Sequence, residues 1–155
     1  MVSEQARLSV EVIKAVRAPV APAFVRSILS SASTLPEVVA RLPEGTNTMA
    51  VRITGDSELR RLNEAYAGKD SVTDVLAFAG SGDHLGDLAI SWAMVVRQAS
   101  EHGHPPLTEC GLLCVHGMLH LLGWDHSTAA ERREMTRLTV SALSLGGLTL
   151  APGRL

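Results

Sequence analysis

The chain has 155 residues, 46% of them hydrophobic and 19% charged, a balance that excludes disorder as its general state and suits a single domain, 1–155, with a sizeable core. A formal net charge of −2 gives no global attraction for nucleic acid, so any phosphate-binding surface has to be local. Arginine supplies twelve of the fourteen basic residues, only Lys14 and Lys69 being lysine, and two cysteines do not make a disulfide framework.

In chain order, the N-terminal "MVSEQARLSVEV" has neither a basic n-region nor an apolar h-region, so no signal peptide is expected. "LSVEVI", Leu8 to Ile13, alternates apolar and polar residues and predicts a half-buried strand. "PAFVRSILSSA" and the segment through "PEVVARL" predict helix, with Pro22 and Pro36 where a first helical turn tolerates proline. "TMAVRIT", Thr48 to Thr54, is again strand-like. Asp56 is expected to cap a helix, "SELRRLNEAYA", ending near Gly68. "DVLAFA" and "LGDLAIS" are apolar runs joined by "GSGDH", the pattern of a hairpin with a glycine-containing loop.

From Ser91 the pattern turns helical, through "WAMVVRQASEHG", "LTECGLLCVHGMLHLL" and "TAAERREMTRLTVSAL". The expected fold is α+β, with a mixed sheet of about four strands and about five helices. The helix over 107–122 is apolar nearly all round, which makes it the buried central helix and a rigid platform for whatever it carries. The longest uncharged run, Leu138 to Gly153, has 16 residues and falls short of a membrane-spanning helix. A cytoplasmic location without membrane contact is expected.

The central helix ends in "HGMLHLLGWDH", which places His116, His120 and His126 within eleven residues. Helical positions i and i+4 lie one above the other, so His116 and His120 can converge on one ion. Gly123 permits the left-handed residue that ends a helix, and the turn can bring His126 back. Three neutral imidazoles with an open fourth position describe a catalytic zinc site, one Zn2+ per chain. On independent frequencies this pattern arises in roughly 7 of 10,000 such chains. The competing reading, buried histidines bonded to backbone, leaves crowded imidazole donors to be satisfied.

The same offsets occur in metzincin proteases, whose HExxHxxGxxH carries a glutamate as general base. Here that place is Gly117. Without the carboxylate, peptide hydrolysis loses a proton acceptor worth roughly 10²–10⁴-fold. Gly117→Glu is therefore not expected to create a peptidase, and its negative charge is expected to hinder a polyanion.

The whole stretch resembles the YbeY family of bacterial ribosomal RNA maturation endoribonucleases, whose motif reads roughly H-G-x-L-H-L-x-G-[YWF]-D-H. "GKDSVTDVLAF" is similar to the family's "KD-x-x-T-[DN]-V-L-S-F", and "HLGDLAIS" to its "LLGD-[IL]-x-I-[SC]". The resemblance runs from Leu59 to about Leu145. It implies a single-strand-specific RNA hydrolase acting near the 3′ end of small-subunit (16S) ribosomal RNA and in ribosome quality control. Implied with it are zinc held by His116, His120 and His126, and partners among ribosomal proteins and an assembly GTPase. A bound metal lowers the pKa of its water to about 7 and polarises a phosphoryl oxygen, so attack of hydroxide on a phosphodiester does not demand an adjacent glutamate.

Two places depart from the family pattern. An arginine usually stands two residues before the lysine of "KD", where this chain has Ala67, and Ala77 stands where serine is usual. A guanidinium able to grip the scissile phosphate is missing from its place. The nearest basic side chains in sequence are Lys69, Arg60 and Arg61, and Lys69 is the expected partial substitute and candidate catalytic and RNA-binding residue. Two alternatives follow: a ribosome-assembly binding factor with little or no nuclease activity, and a metalloprotease-like single-zinc hydrolase of another substrate.

Asp125 is expected either to orient a histidine from outside the ligand shell or to cap the following helix. Asp74 and Asp87 flank the hairpin, as strand-end turn carboxylates or as acceptors for a histidine. Cys114 lies about 200° around the wheel from His116, so both cysteines read as core fillers. His84 and the "HGH" of His102 to His104 read as loop residues. Arg132, Arg133 and Arg137 alternate with Glu131 and Glu134 as a solvated face.

Overall fold

Proline opens three helices of the computed structural model, α1 (Pro22–Ala32), α2 (Pro36–Arg41) and α5 (Pro106–Leu121), where its missing N–H is no loss. The structure describes residues 8–67, 74–125 and 127–155. The remaining elements are β1 (Ser9–Lys14), β2 (Thr48–Thr54), α3 (Asp56–Ala67), β3 (Val75–Ala79), β4 (His84–Ser91), α4 (Trp92–His102) and α6 (Ala129–Leu145). The fold is α+β as expected, with six helices rather than about five among the described residues. Pro22 and Pro36 each open a helix as their placing predicts, and Leu35, ahead of Pro36, is extended at ψ 134°.

The sheet order is β1-β2-β4-β3, with β1, β2 and β4 parallel and β3 antiparallel to β4. Alternation along β4 sends Leu88 and Ile90 into the main core and Ala89 to the opposite face. The main core is shared with α1, α5 and α6, and α5 is buried at eleven of its sixteen residues. The central helix expected from an apolar surface all round is thus present. On the other face, Leu59 and Leu62 of α3 pack on Leu76, Phe78 and Ala89. The sheet therefore lies between α3 and α5. Among the described residues no helix is long and apolar enough to cross a membrane.

Asp56 is the first residue of α3 rather than a cap ahead of it. Its carboxylate accepts from Ser91 and pairs with Arg97 at 2.9 Å, tying α3 to α4. Beside it, Glu58 accepts from Arg52 at 2.8 and 3.2 Å and from Thr54 at 2.6 Å. These bonds, Arg52 foremost, hold its carboxyl down to about 2 from the ordinary 4.5. A depressed carboxylate stabilises the fold at pH above its unfolded value, and that contribution is lost as pH falls from about 4.5 through about 2. In Arg52→Ala the Glu58 midpoint is expected to move back toward 4.5, a shift read directly by carboxyl ¹³C titration.

Candidate functional site

The C-terminal half of α5 leaves three half-buried residues, His116, His120 and Leu121, on an otherwise buried stretch. The ring centroids of the two histidines are 5.4 Å apart, with the planes tilted by 48°. Gly123, at φ 97°, takes the left-handed conformation its place predicts and turns the chain back. Trp124 N–H then donates to the Leu119 carbonyl at 3.0 Å, which brings its own carbonyl to 2.9 Å from His120 Nδ1. A carbonyl only accepts, so Nδ1 carries the proton and Nε2 is left with its lone pair.

These features fit a zinc ion. Imidazole nitrogens at about 2.1 Å in a tetrahedron put ring centroids roughly 3.2 Å from the ion and about 5.3 Å from each other. The observed separation matches, and the His120 tautomer is the one a ligating Nε2 needs. Among the described residues, no group of three or more His, Cys, Asp or Glu side chains stands ready for a metal. His126, the third expected ligand, lies outside the described residues, as does Lys69.

Asp125 is exposed, and its carboxylate accepts from Ser127 N–H at 2.8 Å. Hydrogen bonds with Ser127 hold its pKa below the usual carboxylate value. The group that holds His120 is the carbonyl one residue earlier, a backbone atom that no residue type advertises. The cap of α6 is Thr128, which accepts from Glu131 N–H at 3.0 Å.

Gly117 faces the sheet. A Cβ there would stand 2.8 Å from Leu88 Cδ2 and 3.1 Å from Val75 Cγ2. The obstacle to a glutamate at 117 is therefore packing, rather than repulsion of RNA as the sequence suggested. Gly117→Glu is expected to give no casein cleavage and to lose about 1–3 kcal/mol or more of stability, measured by urea unfolding.

Arg60 and Arg61 are both exposed on α3, across the sheet from the two histidines, and Arg61 is 3.1 Å from Glu58. The structure does not bring them to the histidine pair. Arg137 pairs with Glu37 at 3.0 Å, joining α6 to α2, and Arg132 and Arg133 are exposed. Cys110 and Cys114 are fully buried free thiols, as expected of core fillers, and the mutual hydrogen bond and burial push the Cys114 thiol well up.

Of the histidines read as loop residues, His84 and His102 belong to regular elements, His102 closing α4, whereas His104 does lie in the loop between α4 and α5. His84 opens β4, with Nδ1 at 2.8 Å from Thr48 Oγ1 and Nε2 at 3.1 Å from Asp87. Asp87 is thus an acceptor for a histidine, though for His84. Asp74 accepts from Val75 N–H at 2.9 Å. His104, just past the αL residue Gly103, is buried against Glu109 of α5 at 2.7 Å. Arg154, near the C-terminus, closes on the same carboxylate with Nε at 3.0 Å. The sign of this cluster lay in Glu109 itself, a charge on a helix otherwise apolar all round.

A mixed four-stranded sheet backed by a buried helix that ends in facing imidazoles defines an α+β domain. The same fold occurs in the solution structure of TM1509 from Thermotoga maritima, with a TM-score of 0.60 and 17% identity over 89% of this chain and 91% of that one. The family model described as "Endoribonuclease YbeY" matches residues 16–145, and the chain belongs to that family. It is similar to the Endoribonuclease YbeY of Chloroflexus aurantiacus, at 42% identity over 70% of this chain and 78% of the relative. With that of Geobacillus thermodenitrificans the identity is 40%, over 72% and 80%.

Proposed function

We propose that this chain is an endoribonuclease, a hydrolase of RNA phosphodiester bonds, as its relatives are named. The finer reading is a zinc-dependent enzyme, specific for single strands, acting in the cytoplasm on the 3′ end of 16S ribosomal RNA and in late ribosome quality control. Its partners on this reading are ribosomal proteins and an assembly GTPase. The observation that carries it is the histidine pair on α5, with the His120 tautomer already set by Trp124.

His116, His120 and His126 would hold one zinc ion, which when bound supplies Lewis acidity toward a phosphoryl oxygen and acidifies water. The rest falls to the chain. The burial of α5 holds His116 and His120 at fixed separation on an unyielding element. Glycine at 117 lets the neighbouring turn pack against Leu88 and Val75, where a Cβ would crowd both side chains. Lys69 is the proposed phosphate contact in place of the family's arginine, as a point charge weaker than a bidentate fork. Arg60 and Arg61 are proposed as outlying contacts only, given their position on α3. Asp125 is proposed to steady the turn around the His120 acceptor through its bond to Ser127.

Ala67, in the place of the family's arginine, favours one second reading, a ribosome-assembly factor that binds RNA and cleaves it weakly. Cleavage of a single-stranded RNA by zinc-loaded protein separates the two. The endonuclease reading expects endonucleolytic products that fall to background in His116→Ala, and equal rates in both proteins would overturn it. In Lys69→Ala, affinity is expected to drop and the slope of log K against log salt to flatten by about 0.7, the loss of one single-strand phosphate contact.

A further inference from the structure

We propose that Arg41 and Glu134 are positioning residues for His120, acting through the ring and backbone of Trp124. Two helices, α2 and α6, converge on this one indole, and a third contact runs from the same residue's backbone. The guanidinium of Arg41, the last residue of α2, lies 3.7 Å above the ring centroid. From α6, Glu134 Oε1 accepts the indole Nε1–H at 2.7 Å. The third contact is Trp124's own carbonyl on His120 Nδ1 at 2.9 Å.

The ring is only 2% exposed, so without Glu134 its N–H has no water to turn to. A stacked cation above and a charged acceptor at the edge leave the ring one placement. The residue's backbone is held with it, since Trp124 N–H is spent on Leu119 and Asp125 N–H donates to Glu131 at 3.1 Å. What remains free to point is the Trp124 carbonyl, and it points at His120. The clamp therefore keeps the proton on Nδ1 and makes Nε2 the unprotonated nitrogen. Outer partners of this kind typically govern metal affinity by 10–100-fold.

This inference rests on the zinc reading above, but its test does not depend on activity. Zinc affinity is measured by chelator competition for wild type, Arg41→Ala, Glu134→Ala and Glu134→Gln. The His120 tautomer is read in the metal-free proteins by long-range ¹H–¹⁵N correlation of the imidazole. Zinc Kd is expected to rise about 10–100-fold in both alanine variants, with the single Nδ1–H tautomer giving way to a mixture. Glu134→Gln keeps an acceptor oxygen for the indole and should hold Kd within about threefold and the tautomer intact. If Glu134→Ala does not fold, Trp124→Phe replaces it, keeping a ring for Arg41 and removing the N–H. Lower melting temperatures with unchanged Kd and tautomer would mean a merely structural role and overturn the proposal. Should wild type itself bind no zinc, the metal reading falls, and the tautomer comparison alone decides the clamp.

Discussion

Glu109→Ala is expected to lower the melting temperature by roughly 6–20 °C, the consequence of about 3–5 kcal/mol for breaking a buried ion pair in a domain of this size. Glu109 is fully buried in the first turn of α5, where His104 and Arg154 meet it with side chains 4% and 13% exposed. The Ala151 N–H donates to His104 Nδ1 at 3.1 Å, so that ring's proton is on Nε2 and is given to Glu109. One carboxylate thus joins the α4–α5 turn to the C-terminal tail. Burial pushes the Glu109 pKa up, but Arg154 and His104 outweigh it and the net shift is downward. Its contribution is then present above the ordinary carboxylate value and is lost as pH falls through the lower folded value. Removing the guanidinium with Arg154→Met reverses that balance, and acid unfolding should begin at a higher pH. A double variant, Glu109→Ala with Arg154→Ala, should cost less than the sum of the singles, since each alone strands a charge. A Glu109→Ala protein that melts with wild type would show that the cluster contributes nothing.

Why this cluster escaped a sequence reading, while the facing of His116 and His120 did not, is a matter of range. His116 and His120 are four residues apart on one helix, and the period of the helix alone makes them neighbours. Gly123 reports a left-handed conformation that few other residues tolerate, and Pro36 a first helical turn where a missing N–H is no loss, so a turn and a helix start were legible. The strand-like run "TMAVRIT" marks β2 at its observed ends, Thr48 and Thr54. By contrast, β4 lies between β2 and β3 because of contacts formed across dozens of residues, and no local pattern encodes that order. "HGHPP" has the composition of a loop, and only Glu109 and the returning tail, whose Ala151 N–H donates to Nδ1, turn His104 into a buried donor. Trp124 contributes its carbonyl, which every residue possesses. Its side chain did carry a signal, since a buried indole needs an acceptor, but nothing in "ERREMTR" says which glutamate supplies it.

His120→Ala is expected to abolish zinc retention, and the loss should be visible in stability before it is sought in catalysis. A ligand that binds the folded state alone stabilises it by about 4 kcal/mol at a thousandfold excess over Kd, or roughly 8–16 °C in a domain of this size. The variant forfeits that increment, because one half of the facing pair on α5 is gone. The metal-free fold forfeits little. His120 is half-buried, and the hydrogen bond it makes to the Trp124 carbonyl is worth about 0.5–1.5 kcal/mol. The two effects separate in a chelator. With zinc present, wild type should melt well above His120→Ala; with zinc stripped, the two curves should close to within a few degrees. Elemental analysis of protein purified without added metal should give near one zinc per wild-type chain and close to none in the variant. Full zinc content in His120→Ala would remove His120 from the ligand set. A melting gap that persists unchanged in chelator would make the residue structural, and the histidine pair would then need another account.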